Sequence, residues 1–139
     1  MNPDELAARV AHGMLEAEGT GPAWGISIEE ARAGYARLSM AVRTDMLNGH
    51  GIVHGGMVFA LADTAFAYVC NGANEKTVAA QASIAFLGSA NEGDVLVAEG
   101  MAAAAAGRSG VTRVTVRTSD GRPIAEFTGY SRTLGGAVI

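Results

Sequence analysis

The feature that most constrains the fold is an unusually apolar stretch, residues 56–70, which reads GMVFALADTAFAYVC. Its composition and length favour a helix, and the Gly-Gly pair before it and the Asn-Gly pair after it suit helix ends. Because a helix that is apolar nearly all round cannot lie on a surface, other elements must wrap it. Asp63 stands in its middle, and a carboxylate there is costly to bury unless it is hydrogen-bonded or used.

Only strand-like sequence follows this helix. Four segments, 77–87, 94–105, 111–118 and 123–133, are separated by SANEGD, GRSG and SDGR, and the Asp-Gly pair of the last is a strong hairpin signal. Alanine favours helix and is depleted in strands, so the tract at 102–106 conflicts with this pattern. Its place between two hairpin turns nevertheless predicts a strand with partners on both sides.

The first part of the chain predicts one helix and two strands. Apolar residues at helical spacing favour a helix over 3–18, which GTGP at 19–22 ends. Alternation favours strands over 24–28 and 35–42, joined by a turn near Ala33-Gly34. The order is helix, two strands, one long helix and four strands, which predicts an α+β fold with an antiparallel sheet around the central helix. The 139 residues suit a single domain, 1–139.

Composition excludes several classes of partner. The net charge of −4 and the total of 10 Lys and Arg leave no extended basic surface, so we expect no nucleic acid partner. The start, MNPDELAARV, is unlike a signal peptide, and no apolar run approaches the length of a membrane span. We therefore expect a cytoplasmic protein with no membrane partner.

The residues that most often bind metals give no metal pattern. His50 and His54 are four apart, but glycines between them argue against a helix and no third ligand has suitable spacing. We expect no metal site. Cys70 is the only cysteine, so no intramolecular disulfide can form, and its apolar neighbours predict a buried, unreactive thiol.

The run LNGHGIVHGG followed by FALADTAFAYVCN resembles the signature of the hotdog-fold thioesterases, in particular the PaaI type. The resemblance extends from the N-terminal helix to the final SRTLGG. It implies the hotdog fold, an antiparallel β-sheet wrapped around a long central helix, in agreement with the order above. It also implies an acyl-CoA thioesterase that uses no cofactor, coenzyme A being part of the substrate, and that forms homodimers pairing into a homotetramer.

The resemblance also implies roles for four residues. Asp63 acts as nucleophile or general base on the thioester, and these two routes remain open. Gly55 offers its backbone N–H to the thioester oxygen, while Asn48 and His54 help to shape the site. A helix N-terminus presents unpaired N–H groups and partial positive charge, which is what a developing oxyanion needs.

Further residues are candidates for substrate binding. Gln81 and Ser83, on the strand after the helix, are the nearest polar candidates to position water. Arg108 and Ser109 lie in a turn of the kind that often reaches the nucleotide in hotdog enzymes, with Arg132 as a second candidate. The remaining candidates lie on the central helix or the facing strands: Gly56, Phe59, Thr64, Phe66, Tyr68 and Phe86. The aromatic residues among them suit a pocket wall, and core packing explains them equally well.

The spacing of Gly55 and Asp63 has a consequence of its own. Eight residues along one helix correspond to about 12 Å along the axis and roughly 80° around it. A thioester carbon must lie within about 3 Å of both the attacking group and the oxyanion donors. One chain cannot supply both residues to the same carbon, so Asp63 is expected to come from a neighbouring subunit.

Each site residue also has a structural interpretation. Asp63 could point into solvent, His54 could bond a loop backbone, and Asn48 could only cap a turn. Gly55 and Gly56 could relieve crowding at a helix start, and Arg108 could be a solvated turn residue. These alternatives remain open from the sequence.

Three functions are compatible with the sequence. A thioesterase acting on an aromatic acyl-CoA, such as phenylacetyl-CoA or hydroxyphenylacetyl-CoA, is favoured. A hydratase on the same fold would use an Asp and His arrangement in a different motif, and no second matching segment is present. A non-catalytic acyl-CoA-binding protein is the remaining alternative. Asp63 and the lack of a basic helical arm argue against it.

Overall fold

The computed structural model describes all residues, Met1–Ile139. The chain begins with helices α1 (Pro3–Ala17) and α2 (Thr20–Trp24), followed by strands β1 (Ser27–Arg32) and β2 (Tyr35–Ala41). A short 3-10 turn, Thr44–Met46, leads to the central helix α3 (Gly55–Cys70). Four strands complete the fold: β3 (Thr77–Phe86), β4 (Val95–Ala106), β5 (Ser109–Thr118) and β6 (Pro123–Thr133).

The six strands form one antiparallel sheet in the order β1-β2-β4-β5-β6-β3. Helix α3 packs against all six, and α1 packs on β1 and α3. Strands β1 and β3 are the two edges of the sheet. The predicted α+β class and the sheet wrapped around a long central helix are therefore confirmed. No helix has both the length and the apolar character needed to span a membrane.

Helix α3 is buried because the sheet approaches it closely. Phe66, Leu61 and Val58 on α3 are almost completely buried in the core. A Cβ on Gly129 of β6 would lie only 2.7 Å from the Phe66 ring, so the glycine lets the sheet backbone pass directly beneath the aromatic side chain. Dense packing of this kind makes the apolar α3 the centre of the molecule.

The alanine tract is a strand, as its position predicts, but its pairing is one-sided. Strand β2 pairs with β4 only as far as Met101. Beyond that point β5 is the only strand that pairs with residues 102–106, with a register shift between Ala102 and Ala104, and on the other side only the Ala102 N–H donates, to the Gly34 carbonyl at 2.9 Å. The expectation of partners on both sides was wrong for these residues, because β2 begins at Tyr35 and is too short to reach them.

The first strand lies later in the chain than predicted. Trp24 belongs to the single-turn helix α2, which ends at Gly25 in the left-handed conformation with φ of 68°. Strand β1 then runs to Arg32, which pairs with Tyr35 across the turn at Ala33-Gly34. The alternation of side chains over 24–28 predicted a strand that begins too early. Pro22 and Gly25 support a turn of helix, which alternation does not reveal.

Candidate active site

The N-terminus of α3 presents an unpaired backbone amide. His54 caps the helix, and its Nδ1 accepts a hydrogen bond of 2.8 Å from the Gly56 N–H. The N–H groups of Met57 and Val58 both donate to the carbonyl of His54. Among the amides of this first turn, only that of Gly55 donates to no group in the chain. This N–H is therefore free to bind an acceptor, such as a substrate oxygen.

The bond from Gly56 also determines the state of the His54 ring. Because Nδ1 accepts, the neutral imidazole must carry its proton on Nε2. The ring therefore offers an N–H donor on the side opposite Gly56. Nδ1 therefore has the structural role considered for His54, a hydrogen bond with the backbone, whereas Nε2 remains available for a ligand.

Asn48 organises the loop before the helix. Its Oδ1 accepts from the backbone N–H groups of His50 at 2.8 Å and Ile52 at 3.4 Å. Its own backbone N–H donates to the Ile52 carbonyl at 2.8 Å. In the single chain Asn48 thus has the turn-capping role. Its Nδ2 amide makes no hydrogen bond within the chain, so a contact with substrate remains a prediction.

A cavity of about 360 Å³ opens beside this helix terminus. It brings His54 and Gly56 together with the preceding 3-10 turn. Asp45 on its rim is held by Arg43 at 3.0 Å, and this hydrogen bond lowers the pKa of the carboxyl group. The lining residues are Asp45, Met46, Leu47, His54, Gly56 and Met57.

Asp63 is a half-buried carboxylate without a partner. It takes part in no hydrogen bond or ion pair, and burial raises its pKa. Because no fully buried side-chain oxygen or nitrogen lacks a partner, the carboxylate oxygens of Asp63 must reach the surface. A carboxylate with a raised pKa and free lone pairs is a stronger base than an exposed one.

Cys70 lies near Asp63 but is not a competing nucleophile. Burial is the main cause that raises the pKa of its thiol to about 12, and the charge of Asp63 adds to the effect. The thiol donates to the Ala67 carbonyl at 3.7 Å. Cys70 is therefore half-buried and protonated at neutral pH, consistent with the unreactive thiol expected from the sequence.

The single chain does not bring Asp63 together with the helix N-terminus. Gly55 is the first residue of α3, and Asp63 lies more than two turns further along the same helix. Their separation of eight positions corresponds to about 12 Å along the axis. Asp63 also lines none of the four main cavities of the chain.

Two further candidates on α3 already have contacts within the chain. The ring of Phe59 packs edge-on against Phe127, with 5.4 Å between ring centroids. The Thr64 hydroxyl donates to the Ala60 carbonyl at 2.7 Å, which leaves only its lone pairs for a substrate. Their roles in substrate binding remain predictions.

Gln81 and Ser83 are exposed and lie on the far side of the sheet from α3. They alternate with Ala82 and Ile84, which pack towards the core. Since neighbouring side chains of a strand point to opposite faces, Gln81 and Ser83 cannot reach Asp63 of the same chain.

The predicted nucleotide contacts lie at the end of the β4–β5 hairpin. Ser109 and Arg132 line a cavity of about 430 Å³, which also includes Gln81. Arg108 lines a separate cavity of about 210 Å³, in which Ser109 and Cys70 also take part. Neither arginine forms an ion pair within the chain. The structure thus places two free guanidinium groups on either side of Ser109.

Sequence reasoning missed the residues from the 3-10 turn. Met46 and Leu47 line the cavity at the helix terminus because the bridge between Leu47 and Val53 closes the loop that carries Asn48. Their position directly before the NGH segment was the only available signal. No group of three His, Cys, Asp or Glu side chains is arranged to hold a metal ion.

Comparison with known proteins identifies the family. The sequence profile of the thioesterase superfamily matches residues 50–125. Over 128 residues the chain is 38% identical to the acyl-coenzyme A thioesterase PaaI of Escherichia coli K12, a match that covers 92% of this chain and 91% of that protein. The structure of the E. coli PaaI protein from the phenylacetic acid degradation operon superposes with a TM-score of 0.95 and 36% identity, covering 98% of this chain and 99% of that one.

Two similar structures contain coenzyme A or its acetyl thioester. A hypothetical thioesterase of Streptococcus pneumoniae TIGR4, solved with coenzyme A, is 27% identical with a TM-score of 0.77, covering 81% of this chain and 90% of that one. A Streptococcus mutans UA159 protein bound to acetyl-CoA is 26% identical with a TM-score of 0.77 and the same coverage, 81% and 90%.

Proposed function

This chain belongs to the thioesterase superfamily and is a thioester hydrolase of the hotdog fold, and we propose that it hydrolyses coenzyme A thioesters of aromatic acids, such as phenylacetyl-CoA or a hydroxyphenylacetyl-CoA. The observation that carries the proposal is the partnerless carboxylate of Asp63 in a protein whose central helix also presents a free N–H at Gly55. The similarity to E. coli PaaI over nearly the whole chain supports the aromatic acyl group. The two relatives with bound coenzyme A or acetyl-CoA support the CoA portion.

In the proposed reaction the Gly55 N–H donates to the thioester oxygen as negative charge develops there. Asp63 either takes a proton from water as that water attacks the carbonyl carbon, or attacks the carbon itself to give a mixed anhydride that water then hydrolyses. In both routes the carbon–sulfur bond breaks, and the products are the free acid and coenzyme A thiol. No cofactor takes part in either route.

We propose that two chains share each site. Asp63 of one chain would act on the carbon whose oxygen is bound by Gly55 of the other, since one helix separates the two residues by about 12 Å. Strand β3 is an edge of the sheet with ten residues, most of them exposed, so its free backbone groups suit pairing with a second copy. The proposed assembly is a homodimer that pairs into a homotetramer.

The CoA phosphates are proposed to bind near Ser109. Arg108 and Arg132 have no carboxylate partner, and guanidinium groups suit phosphate recognition. The cavity of about 430 Å³ beside Arg132 is lined by alanine side chains together with polar groups such as Gln81 and Ser109. We place the protein in the cytoplasm, where acyl-CoA substrates are available.

The decisive experiment measures thiol release from phenylacetyl-CoA, a hydroxyphenylacetyl-CoA and hexanoyl-CoA. We expect turnover by the unsubstituted protein and a loss of at least about 100-fold in kcat for Asp63→Asn, which keeps the shape but removes the basic oxygen. Glu75→Gln is the matched control, because this exposed carboxylate forms no hydrogen bond or ion pair, and it should leave kcat unchanged.

Two results would contradict the proposal. Full activity in Asp63→Asn would remove the carboxylate from the mechanism. An absence of thiol release, combined with measurable binding of hexanoyl-CoA by calorimetry, would instead support the non-catalytic acyl-CoA-binding protein.

A further inference from the structure

The four aromatic residues that suit a pocket wall have very different environments. Phe66 and Tyr68 are 1% and 2% exposed and belong to the core. Phe59 is half-buried against Phe127. Phe86 alone is largely exposed, at 55%. A large apolar side chain that stays accessible next to a candidate site is the one a ligand can contact.

The Phe86 ring rests directly on the first residue of α3. A Cβ added to Gly55 would lie 3.1 and 3.2 Å from two carbon atoms of this ring. The missing side chain at Gly55 therefore lets the ring lie against the backbone whose N–H is free. A flat apolar surface thus adjoins the proposed oxyanion donor.

The backbone after β3 holds this ring in place. Phe86 is the last residue of β3 and pairs with the buried Ala125, so its side chain points to the α3 side of the sheet. The N–H groups of Leu87 and Gly88 both donate to the Ile124 carbonyl, at 2.8 and 3.2 Å.

Gly88 allows this segment to lie close to β6. A Cβ at Gly88 would be 2.5 Å from the carbonyl oxygen of Pro123, so any side chain there would displace the backbone. A side chain at position 88 would therefore shift the segment that directly follows the Phe86 ring.

We propose that Phe86 determines acyl-group specificity, its ring forming the surface on which the acyl group of the thioester lies. This inference rests on the proposed function. A thioester oxygen bound to the Gly55 N–H at about 2.9 Å places the first carbons of the acyl group within about 5 Å of that nitrogen. The ring that contacts Gly55 lies within van der Waals reach of those carbons.

The chemistry of the ring favours an aromatic acyl group. Aromatic pairs in offset or edge-on geometry gain more than their buried area alone provides, which corresponds to about 2- to 12-fold in a rate ratio. A straight alkyl chain gains only the apolar contact. Selectivity for phenylacetyl-CoA over hexanoyl-CoA should therefore depend on Phe86.

The test compares kcat/KM for phenylacetyl-CoA and hexanoyl-CoA in the unsubstituted protein, Phe86→Leu and Phe86→Ala. We expect the ratio of the two values to fall about 2- to 12-fold in both variants, with hexanoyl-CoA turnover better preserved in Phe86→Leu. Leu87→Ala is the matched control. Leu87 is the next residue in the chain and is similarly exposed, at 60%, but the side chain that lies on Gly55 is that of Phe86. Gly88→Ala should also lower the ratio of phenylacetyl-CoA to hexanoyl-CoA turnover, because it should move the Phe86 ring.

A ratio that stays constant while both kcat/KM values fall together would show that Phe86 has only a structural role. That result would overturn this inference and leave the proposed function intact. If Phe86→Ala does not fold, as judged by circular dichroism, Phe86→Leu decides. An absence of thioester hydrolysis by the unsubstituted protein would contradict the proposed function, and this inference with it.

Discussion

At the scale of single residues, the main feature of this protein is a conflict between stability and chemistry at Asp63. The carboxylate is half-buried, makes no hydrogen bond and forms no ion pair. A residue selected only for stability would be paired or apolar at this position. Its environment is instead that of a group available for a ligand, as perturbed carboxylates at functional sites often are.

This conflict predicts that Asp63→Asn stabilises the fold. Burial raises the pKa of Asp63 in the folded protein, so the folded state binds a proton more readily than the unfolded chain, whose aspartate titrates near about 3.9. Ionised Asp63 therefore disfavours folding at neutral pH. Urea unfolding at pH 7 should give a higher midpoint for Asp63→Asn than for the unsubstituted protein.

The pH dependence provides the check on that prediction. The advantage of the variant should shrink as the pH falls through the folded-state pKa, and disappear well below about pH 3.9. Glu75→Gln, at an exposed carboxylate, should show no such trend. A variant less stable than the unsubstituted protein at pH 7 would mean that Asp63 has a stabilising partner.

At the scale of elements, the connection from α3 to β3 depends on one buried side chain. Asn71 is 5% exposed. Its Nδ2 donates to the carbonyls of Ala67 at 2.9 Å and Thr77 at 3.0 Å, and its Oδ1 accepts from the Thr77 N–H at 2.9 Å. The side chain thus joins the last turn of α3 to the first residue of β3. The helix and the edge strand that carry the candidate site are held together here.

We predict that Asn71→Ala lowers the free energy of unfolding by about 2–4 kcal/mol, because it removes three hydrogen bonds and leaves the part-buried Thr77 N–H and carbonyl without their Asn71 partners. Urea unfolding measures the change. Asn91→Ala is the control, since the Asn91 side chain is exposed and makes no hydrogen bond, and it should change stability by less than about 0.5 kcal/mol. A loss of similar size in both variants would show that the three bonds contribute little.

At the scale of the whole molecule, the separation of Gly55 and Asp63 on one helix predicts a site that two chains share. Mixing Asp63→Asn with Gly55→Trp tests it. In a mixed dimer, one site would combine an intact Gly55 with an intact Asp63 from different chains, and the other site would contain both substitutions. With random exchange about half of the dimers are mixed, so about a quarter of the unsubstituted activity should return.

The separate variants must be inactive for this measurement to be meaningful, and light scattering should show that both remain dimers or larger. Recovery that requires subunit exchange would establish a site made of two chains. If mixed dimers form and no activity returns, Gly55 and Asp63 do not act across the interface.

The sequence by itself determined the elements that strong local patterns specify. The apolar run over 56–70 predicted the central helix, and the Asp-Gly pair predicted the last hairpin, because the side-chain pattern and turn chemistry depend on residues close in the chain. The HGG and LAD segments were sufficient to indicate the family. The short helix α2 was missed, because Pro22 and Gly25 act through backbone conformation rather than through alternation.

Only the tertiary structure decided how these residues are presented. The Phe86 ring lies on Gly55 because the end of β3 and the start of α3, which are distant in sequence, meet in the folded chain. It also decided that Gln81 and Ser83 face away from Asp63 within one chain. Local pattern specifies which residues a chain offers for chemistry, whereas long-range packing determines which of their atoms stay free, because hydrogen-bond partners and burial are properties of the folded molecule.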